Sequence, residues 1–380
     1  MSHTILEELA ILGQSIWLDY INRSLVEEGK LTGMIVGGLK GVTSNPSIFN
    51  QVISESEEYD LLIKDLKDKG KSTFEIYDEL TVGDITSAAI EFKEVHQDSK
   101  GLDGYVSLEI NPLLANKVEE QIQEGKRLFK KVSKSNVMIK VPSTEAGYKV
   151  IEALISDGIN VNATLIFSLR QYEEVAKAYL RGLMSLVEQK RDPGKVRSVA
   201  SVFVSRIDTA VDNLLDEKLQ SENDEVNKKK ILDIKGKAAV ANSRLIFERA
   251  KSIFSSDEFK VLEQKGANVQ RVLWASTGTK NPKYSDIKYV KELIAAPTVN
   301  TIPEATLNAF IDHGDVQEAF VNDVNGSVEV IRSLDALDIS VDEVCIKLLD
   351  DGVKAFNNAF ESLLESIEKK AEGLDANTPA

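Results

Sequence analysis

Eight times along the chain, a short run rich in Val and Ile gives way to a helix-starting signal and a longer helical stretch. No other feature limits the fold as much. The runs read as strands over 15–20, 39–43, 104–110, 137–141, 160–167, 199–204, 272–275 and 298–301. Most lack clean alternation of apolar and polar residues, as strands covered on both faces do. The signals between them are concrete. Ser44-Asn45-Pro46 offers capping residues and then a proline for a first helical turn. Ser168-Leu169-Arg170-Gln171 has the spacing of a capping box, and Thr301-Ile302-Pro303-Glu304 repeats a start signal. Thr81-Val82-Gly83-Asp84 opens a stretch with Val82, Ile85, Ala89, Phe92 and Val95 on one face. Strands alternating with helices imply a parallel sheet with right-handed crossovers. Eight such units in about 300 residues suit a closed (β/α)8 TIM barrel, which usually needs about 250. An open doubly wound sheet would carry a glycine-rich loop after its first strand, and no G-x-G-x-x-G follows 15–20.

The reading is therefore one α/β barrel domain over 1–380 with additional N- and C-terminal helices. Ile5, Leu6, Leu9 and Leu12 mark a lead-in helix. A helical excursion is expected over about 208–270, with the polar run 216–230 at its surface, and a helical extension over about 306–372. In that extension Val328, Ile331, Leu334 and Leu337 form one stripe. Leu348, Leu349, Val353, Phe356, Phe360, Leu363 and Leu364 form another. The segment 372–380 is small and polar and reads as a frayed end.

Composition excludes several function classes. Forty-six Lys and Arg against 61 Asp and Glu leave a net charge of −15, which repels nucleic-acid phosphates and anionic lipid. No run of 18 apolar residues exists to span a membrane, and the first residues lack the pattern of a signal peptide. The single cysteine, Cys345, cannot form an internal disulfide. The three histidines stand far apart and none pairs with a Cys or His at metal-ligand spacing. These features predict a cytoplasmic, metal-free protein without nucleic-acid or membrane partners; a homo-oligomer is compatible with them.

In such a barrel chemistry sits at the C-terminal ends of the strands. Polar groups cluster there: Asp19, Thr43, Asn45, Glu109, Lys140, Asn162, Thr164, Ser201, Arg206, Ser276 and Thr301. Lys140, in Val137-Met138-Ile139-Lys140-Val141-Pro142, interrupts an apolar strand. Burial disfavours its charged form and makes available the free amine that condenses with a ketone as a Schiff base. A lysine that snorkels to the barrel mouth or pairs with a carboxylate fits the same strand. Schiff-base chemistry needs proton carriers, and Glu109 and Asp19, each following apolar residues, can share that work, with Thr164 positioning a water. Either carboxylate also fits an ordinary internal ion pair. Arg206 can bind a phosphate through its planar fork or pair with Asp208. Ser276-Thr277-Gly278-Thr279-Lys280 can offer backbone N–H groups to the same phosphate.

Three segments together resemble the transaldolase family. Gly41-Val42-Thr43-Ser44-Asn45-Pro46-Ser47-Ile48-Phe49 is similar to its T-[ST]-N-P-S signature. Ile139-Lys140-Val141-Pro142-Ser143-Thr144-Glu145-Ala146-Gly147 resembles the surroundings of its Schiff-base lysine. Gly158-Ile159-Asn160-Val161-Asn162-Ala163-Thr164-Leu165-Ile166-Phe167-Ser168 resembles its fifth-strand motif. The resemblance runs in order from about Asp19 to Thr306, with lengths like those of the longer bacterial-type branch. It implies that Lys140 forms the Schiff base, Asp19 takes the C4 hydroxyl proton, and Glu109 and Thr164 serve a water-mediated relay. Thr43, Asn45, Asn162 and Ser201 would contact the donor or order that relay. Phe203 would line the pocket, and Arg206 and Ser276 would meet the phosphate. The implied reaction moves a dihydroxyacetone unit from sedoheptulose 7-phosphate to glyceraldehyde 3-phosphate, giving erythrose 4-phosphate and fructose 6-phosphate in the pentose phosphate pathway. Its partners are a phosphorylated ketose and aldose, and no cofactor is implied. One position departs from the pattern. Gly278 stands where the shorter enzymes carry an arginine, so Lys280 is the expected second cation. An aldolase that releases the three-carbon unit, or a barrel that only binds sugar phosphates, would share much of this sequence.

Overall fold

The computed structural model describes residues 3–321 and 324–376. Its strands are β1 (Gln14–Leu18), β2 (Gly41–Thr43), β3 (Tyr105–Glu109), β4 (Val137–Pro142), β5 (Val161–Ile166), β6 (Ser198–Phe203), β7 (Arg271–Ala275) and β8 (Thr298–Ile302). All neighbours pair in parallel and β8 returns to β1, closing the barrel in sequence order. Every strand is buried along its whole length, which accounts for the continuous apolar runs. Each of the eight expected runs overlaps one strand, with ends that differ by at most two residues.

Inside the barrel, packing dictates residue size. Trp17 and Gly41 are register partners on β1 and β2, and a Cβ on Gly41 would lie 2.7 Å from the indole ring. Only a residue without a side chain leaves room for that ring. The N-terminal end of the barrel is closed by polar groups instead. Arg271 at the start of β7 pairs with Asp103 at 2.7 Å and donates to Ser15 Oγ at 2.9 Å, and all three are buried. A buried ion pair is tolerated when its remaining hydrogen-bonding capacity is filled, and Ser15 and Leu102 O fill it.

Helix starts follow local chemistry. Asn45 caps Pro46–Glu55 through Ile48 N, and Ser168 with Gln171 forms a reciprocal box at Leu169–Glu188. Two expected starts are corrected. The helix containing Thr81 begins at Thr73, where Ser72 and Glu75 form a capping box, and Val95 belongs to the next helix, Lys93–Asp98. Thr301 and Ile302 remain in β8, so Pro303, which offers no side-chain cap, precedes Glu304–His313. The stretch between β6 and β7 holds Ser205–Ser221, Glu225–Ile234, Ala238–Phe254 and Asp257–Glu263. The polar run 216–230 is therefore mostly helical, broken only around 222–224.

The final helix, Val341–Ala376, has 36 residues and is about 54 Å long. It lies across Pro46–Glu55, Asp60–Asp68 and Ser205–Ser221 and reaches β5. Its buried stripe is Cys345, Phe356, Phe360, Leu363, Ile367 and Ala371; Leu348, Leu349, Val353 and Leu364 flank it half-buried. Cys345 is thus a core residue, its thiol pushed up to about 12 by burial. The segment 372–376 continues this helix rather than fraying, and 377–380 lies outside the described residues. No helix among the described residues is long and apolar enough to cross a membrane.

Candidate active site

The register of the sheet sets the centre of the site. Lys140 on β4 stands beside Glu109 of β3 on one side and Asn162 of β5 on the other. Its Nζ lies 3.0 Å from Glu109 Oε2 and donates to Ser44 O at 2.8 Å. Both charged side chains are almost fully buried, at 5% and 6% exposure. The contact with Lys140 is an ion pair, and Glu109 Oε2 has no hydrogen-bond partner among the described residues. Burial raises the Glu109 pKa, while the neighbouring Lys140 charge opposes the rise.

Asp19 follows β1 directly. Thr43 Oγ1 donates to its Oδ1 at 2.7 Å and lies 2.6 Å from Thr301 Oγ1. Burial raises the Asp19 pKa, against the charges of Lys140, Lys280 and Arg206 and the bond from Thr43. Ser201 Oγ donates to Asn162 Oδ1 at 2.6 Å, and Asn162 Nδ2 donates to Ser107 Oγ at 3.1 Å. These bonds fix the floor beside Lys140.

Thr164 is placed by an irregularity in β5. The ladder with β6 shifts register between Ala163 and Ile166, and Leu165 adopts a left-handed φ of 57°. Non-glycine residues reach that region only when their surroundings hold them there. Here Ser143 Oγ and Gln171 Nε2 both donate to Leu165 O, at 2.8 and 3.2 Å. The Thr164 hydroxyl is buried without a hydrogen-bond partner among the described residues. An unsatisfied buried hydroxyl in a reactive cavity is a ready site for a water or a substrate oxygen.

Ten of the twelve predicted residues line one cavity of about 160 Å³ at the C-terminal strand ends: Asp19, Thr43, Asn45, Lys140, Thr164, Ser201, Phe203, Arg206, Ser276 and Lys280. Glu109 and Asn162 sit behind this lining, in contact with Lys140 and Ser201. Arg206 stacks on the Phe203 ring at 5.5 Å and has no hydrogen bond or ion pair among the described residues. The alternative pairing with Asp208 does not occur, because that carboxylate is taken by Tyr289 and Ala239 N. Lys280 is exposed at the cavity edge and likewise unpaired among the described residues. Ser276 has a φ of 55°, and its hydroxyl lies 3.1 Å from that of Ser205.

Sequence reasoning missed three contributors. Ser44 acts through its carbonyl, which no side-chain pattern reveals. Ser47 lines the cavity two residues beyond Asn45, in the first turn of the helix that Asn45 caps, a position the capping signal makes legible afterwards. Phe356 reaches it from the final helix, and nothing local in its sequence says where that helix docks. A wider hollow of about 700 Å³ lies near Lys40 and Asp103, at the opposite barrel end. It lies at the N-terminal strand ends, away from the buried Lys140, so the smaller cavity carries the chemistry. Among the described residues no group of three or more His, Cys, Asp or Glu is placed to hold a metal.

Comparison with known proteins points to one family over nearly the whole chain. Residues 16–367 match the family described as Transaldolase/Fructose-6-phosphate aldolase. Transaldolase of Trichodesmium erythraeum is 43% identical over 370 residues, which cover 97% of each chain. Transaldolase 2 of a Nostoc species is 40% identical over 371 residues, again 97% of each. Transaldolase of Neisseria gonorrhoeae is 39% identical over 364 residues, 96% of this chain and 99% of that protein.

Proposed function

Because the chain belongs to the transaldolase/fructose-6-phosphate aldolase family, we propose that it is a transaldolase that works through a Schiff base on Lys140. The observation that carries this reading is the Lys140 amine, buried beside Glu109 at the floor of a cavity that also holds Asp19. The donor is sedoheptulose 7-phosphate, the acceptor glyceraldehyde 3-phosphate, and the setting the cytoplasmic pentose phosphate pathway.

Lys140 Nζ passes a proton to Glu109 and attacks the ketose carbonyl. The resulting carbinolamine receives a proton on its hydroxyl, loses water and becomes an iminium. A relay from Glu109 through a water held by the Thr164 hydroxyl supplies that proton; the raised pKa of Glu109 and the unpaired Thr164 Oγ1 support this division. Asp19 then takes the C4 hydroxyl proton. The C3–C4 bond breaks, its electron pair flows into the iminium, and erythrose 4-phosphate leaves. The three-carbon enamine attacks the acceptor aldehyde, Asp19 returns its proton to the new hydroxyl, and water releases fructose 6-phosphate from Lys140. Thr43, Asn45, Asn162 and Ser201 bind the donor hydroxyls or hold the relay, and Phe203 walls the pocket. Arg206 and Lys280, which have no hydrogen-bond or ion-pair partner among the described residues, receive the phosphate beside Ser276, with Lys280 standing in for the cation absent at Gly278.

Relatives named Transaldolase at about 40% identity favour transfer over simple cleavage. The discriminating experiment supplies fructose 6-phosphate without acceptor and follows glyceraldehyde 3-phosphate. A transaldolase stops after about one equivalent per active site, the burst of an enzyme trapped as its intermediate. Continuous release with free dihydroxyacetone would make it an aldolase, and no release at all would leave only a binding barrel.

A further inference from the structure

The helix Ser205–Ser221 carries Arg206 in its first turn and, deeper along it, two carboxylates four residues apart. That spacing puts Asp208 and Asp212 on one face. They are 1% and 6% exposed, and neither has an ion-pair partner among the described residues. Each divides its oxygens in the same way. Asp208 Oδ1 accepts from Ala239 N at 2.7 Å, and Oδ2 from Tyr289 OH at 2.8 Å. Asp212 Oδ1 accepts from Gly236 N at 2.9 Å, and Oδ2 from Tyr284 OH at 2.5 Å. A third contact joins the two sides: Gly236 has a φ of 71°, and a Cβ there would lie 2.7 Å from the Tyr284 ring.

Both tyrosines follow the segment after β7 that bears Ser276, Gly278 and Lys280. Both backbone donors belong to the turn that starts Ala238–Phe254. The two carboxylates therefore lash together the helix of Arg206, the segment of Lys280 and the excursion between β6 and β7. Stability alone does not explain them. Buried carboxylates without cations are costly where apolar residues would pack, and burial raises Asp208 to about 6. What they supply is fixed geometry, through strong hydrogen bonds donated to their charged oxygens.

We infer that Asp208 and Asp212, with Tyr289 and Tyr284, are positioning residues that set Lys280 against Arg206 and thereby govern phosphate recognition without touching the carbon–carbon chemistry. This rests on the reading of Arg206 and Lys280 as the phosphate cations. It also gives the excursion a role as the third anchor of the substrate site.

The test uses Tyr284→Phe and Tyr289→Phe, which each remove one oxygen and keep the ring, with Asp212→Asn alongside. Steady-state kinetics with fructose 6-phosphate, inhibition by inorganic phosphate, and inactivation by dihydroxyacetone plus borohydride are compared with the parent. KM should rise about tenfold and phosphate inhibition weaken by a similar factor, the loss of about one charge-assisted hydrogen bond. The kcat and the dihydroxyacetone trapping rate, which need no phosphate, should stay within about twofold. An unchanged KM, or a parallel fall in kcat and trapping, would overturn the inference. Arg206→Ala separates the two readings. If it leaves KM and phosphate inhibition untouched, the phosphate assignment itself fails. If it weakens both while the tyrosine variants do not, only the positioning role fails.

Discussion

At the scale of single residues the site is a problem of proton affinity under burial. Burial raises the pKa values of Asp19 and Glu109, and the nearby cations oppose that rise. The proposed mechanism needs Asp19 ionised when it meets the C4 hydroxyl. The acid limb of kcat/KM is therefore expected above the ordinary aspartate range, with activity falling as pH drops through the raised value. A limb at or below the ordinary range would contradict this role. Asp19→Asn keeps the shape and the bond from Thr43 but cannot take the proton, so kcat should fall at least about a hundredfold at every pH. Residual activity near the parent's would remove Asp19 from the reaction.

Secondary-structure elements decide how far apart those residues stand. The bulge in β5 is one such device, since a regular strand would alternate past Thr164 without the turn at Leu165. The final helix is another: it crosses the barrel mouth and delivers Phe356, which is 5% exposed, to the cavity wall. Phe356→Ala should cost about 3 kcal/mol in stability, as large-to-small changes of buried aromatics do. It should also raise KM for fructose 6-phosphate, because the cavity loses a wall. Chemical denaturation and steady-state kinetics measure the two effects. A stability loss without any change in KM would mean the helix supports the fold but not the site.

For the molecule as a whole, the barrel was legible because burial on both faces leaves a distinct trace: strands such as Val137–Pro142 are buried throughout and, Lys140 aside, apolar. Strand-end residues such as Lys140 and Asp19 were legible for the same reason, as polar groups where an apolar run demands an explanation. Long-range docking left no local trace. Thr81 looked like a helix start because its interior position in Thr73–Glu91 is set by packing and by Ser72 upstream. Phe356 looked like any stripe residue; Asp208 entered only as a possible partner of Arg206, and nothing local marks Asp212, because their tyrosine partners lie 81 and 72 residues further along the chain. The net charge of −15 is a sum over the whole chain and hides a local reversal of sign: Lys140, Arg206 and Lys280 line the cavity against one lining carboxylate, Asp19.

Everything in the proposed chemistry passes through one covalent bond, so trapping that bond is the most direct test. Borohydride reduction during turnover of fructose 6-phosphate, followed by peptide mass mapping, should place a reduced three-carbon adduct on Lys140 and on no other lysine. Absence of an adduct on every lysine, in protein shown to be folded, would contradict the Schiff-base mechanism and leave a barrel that binds sugar phosphates without cleaving them.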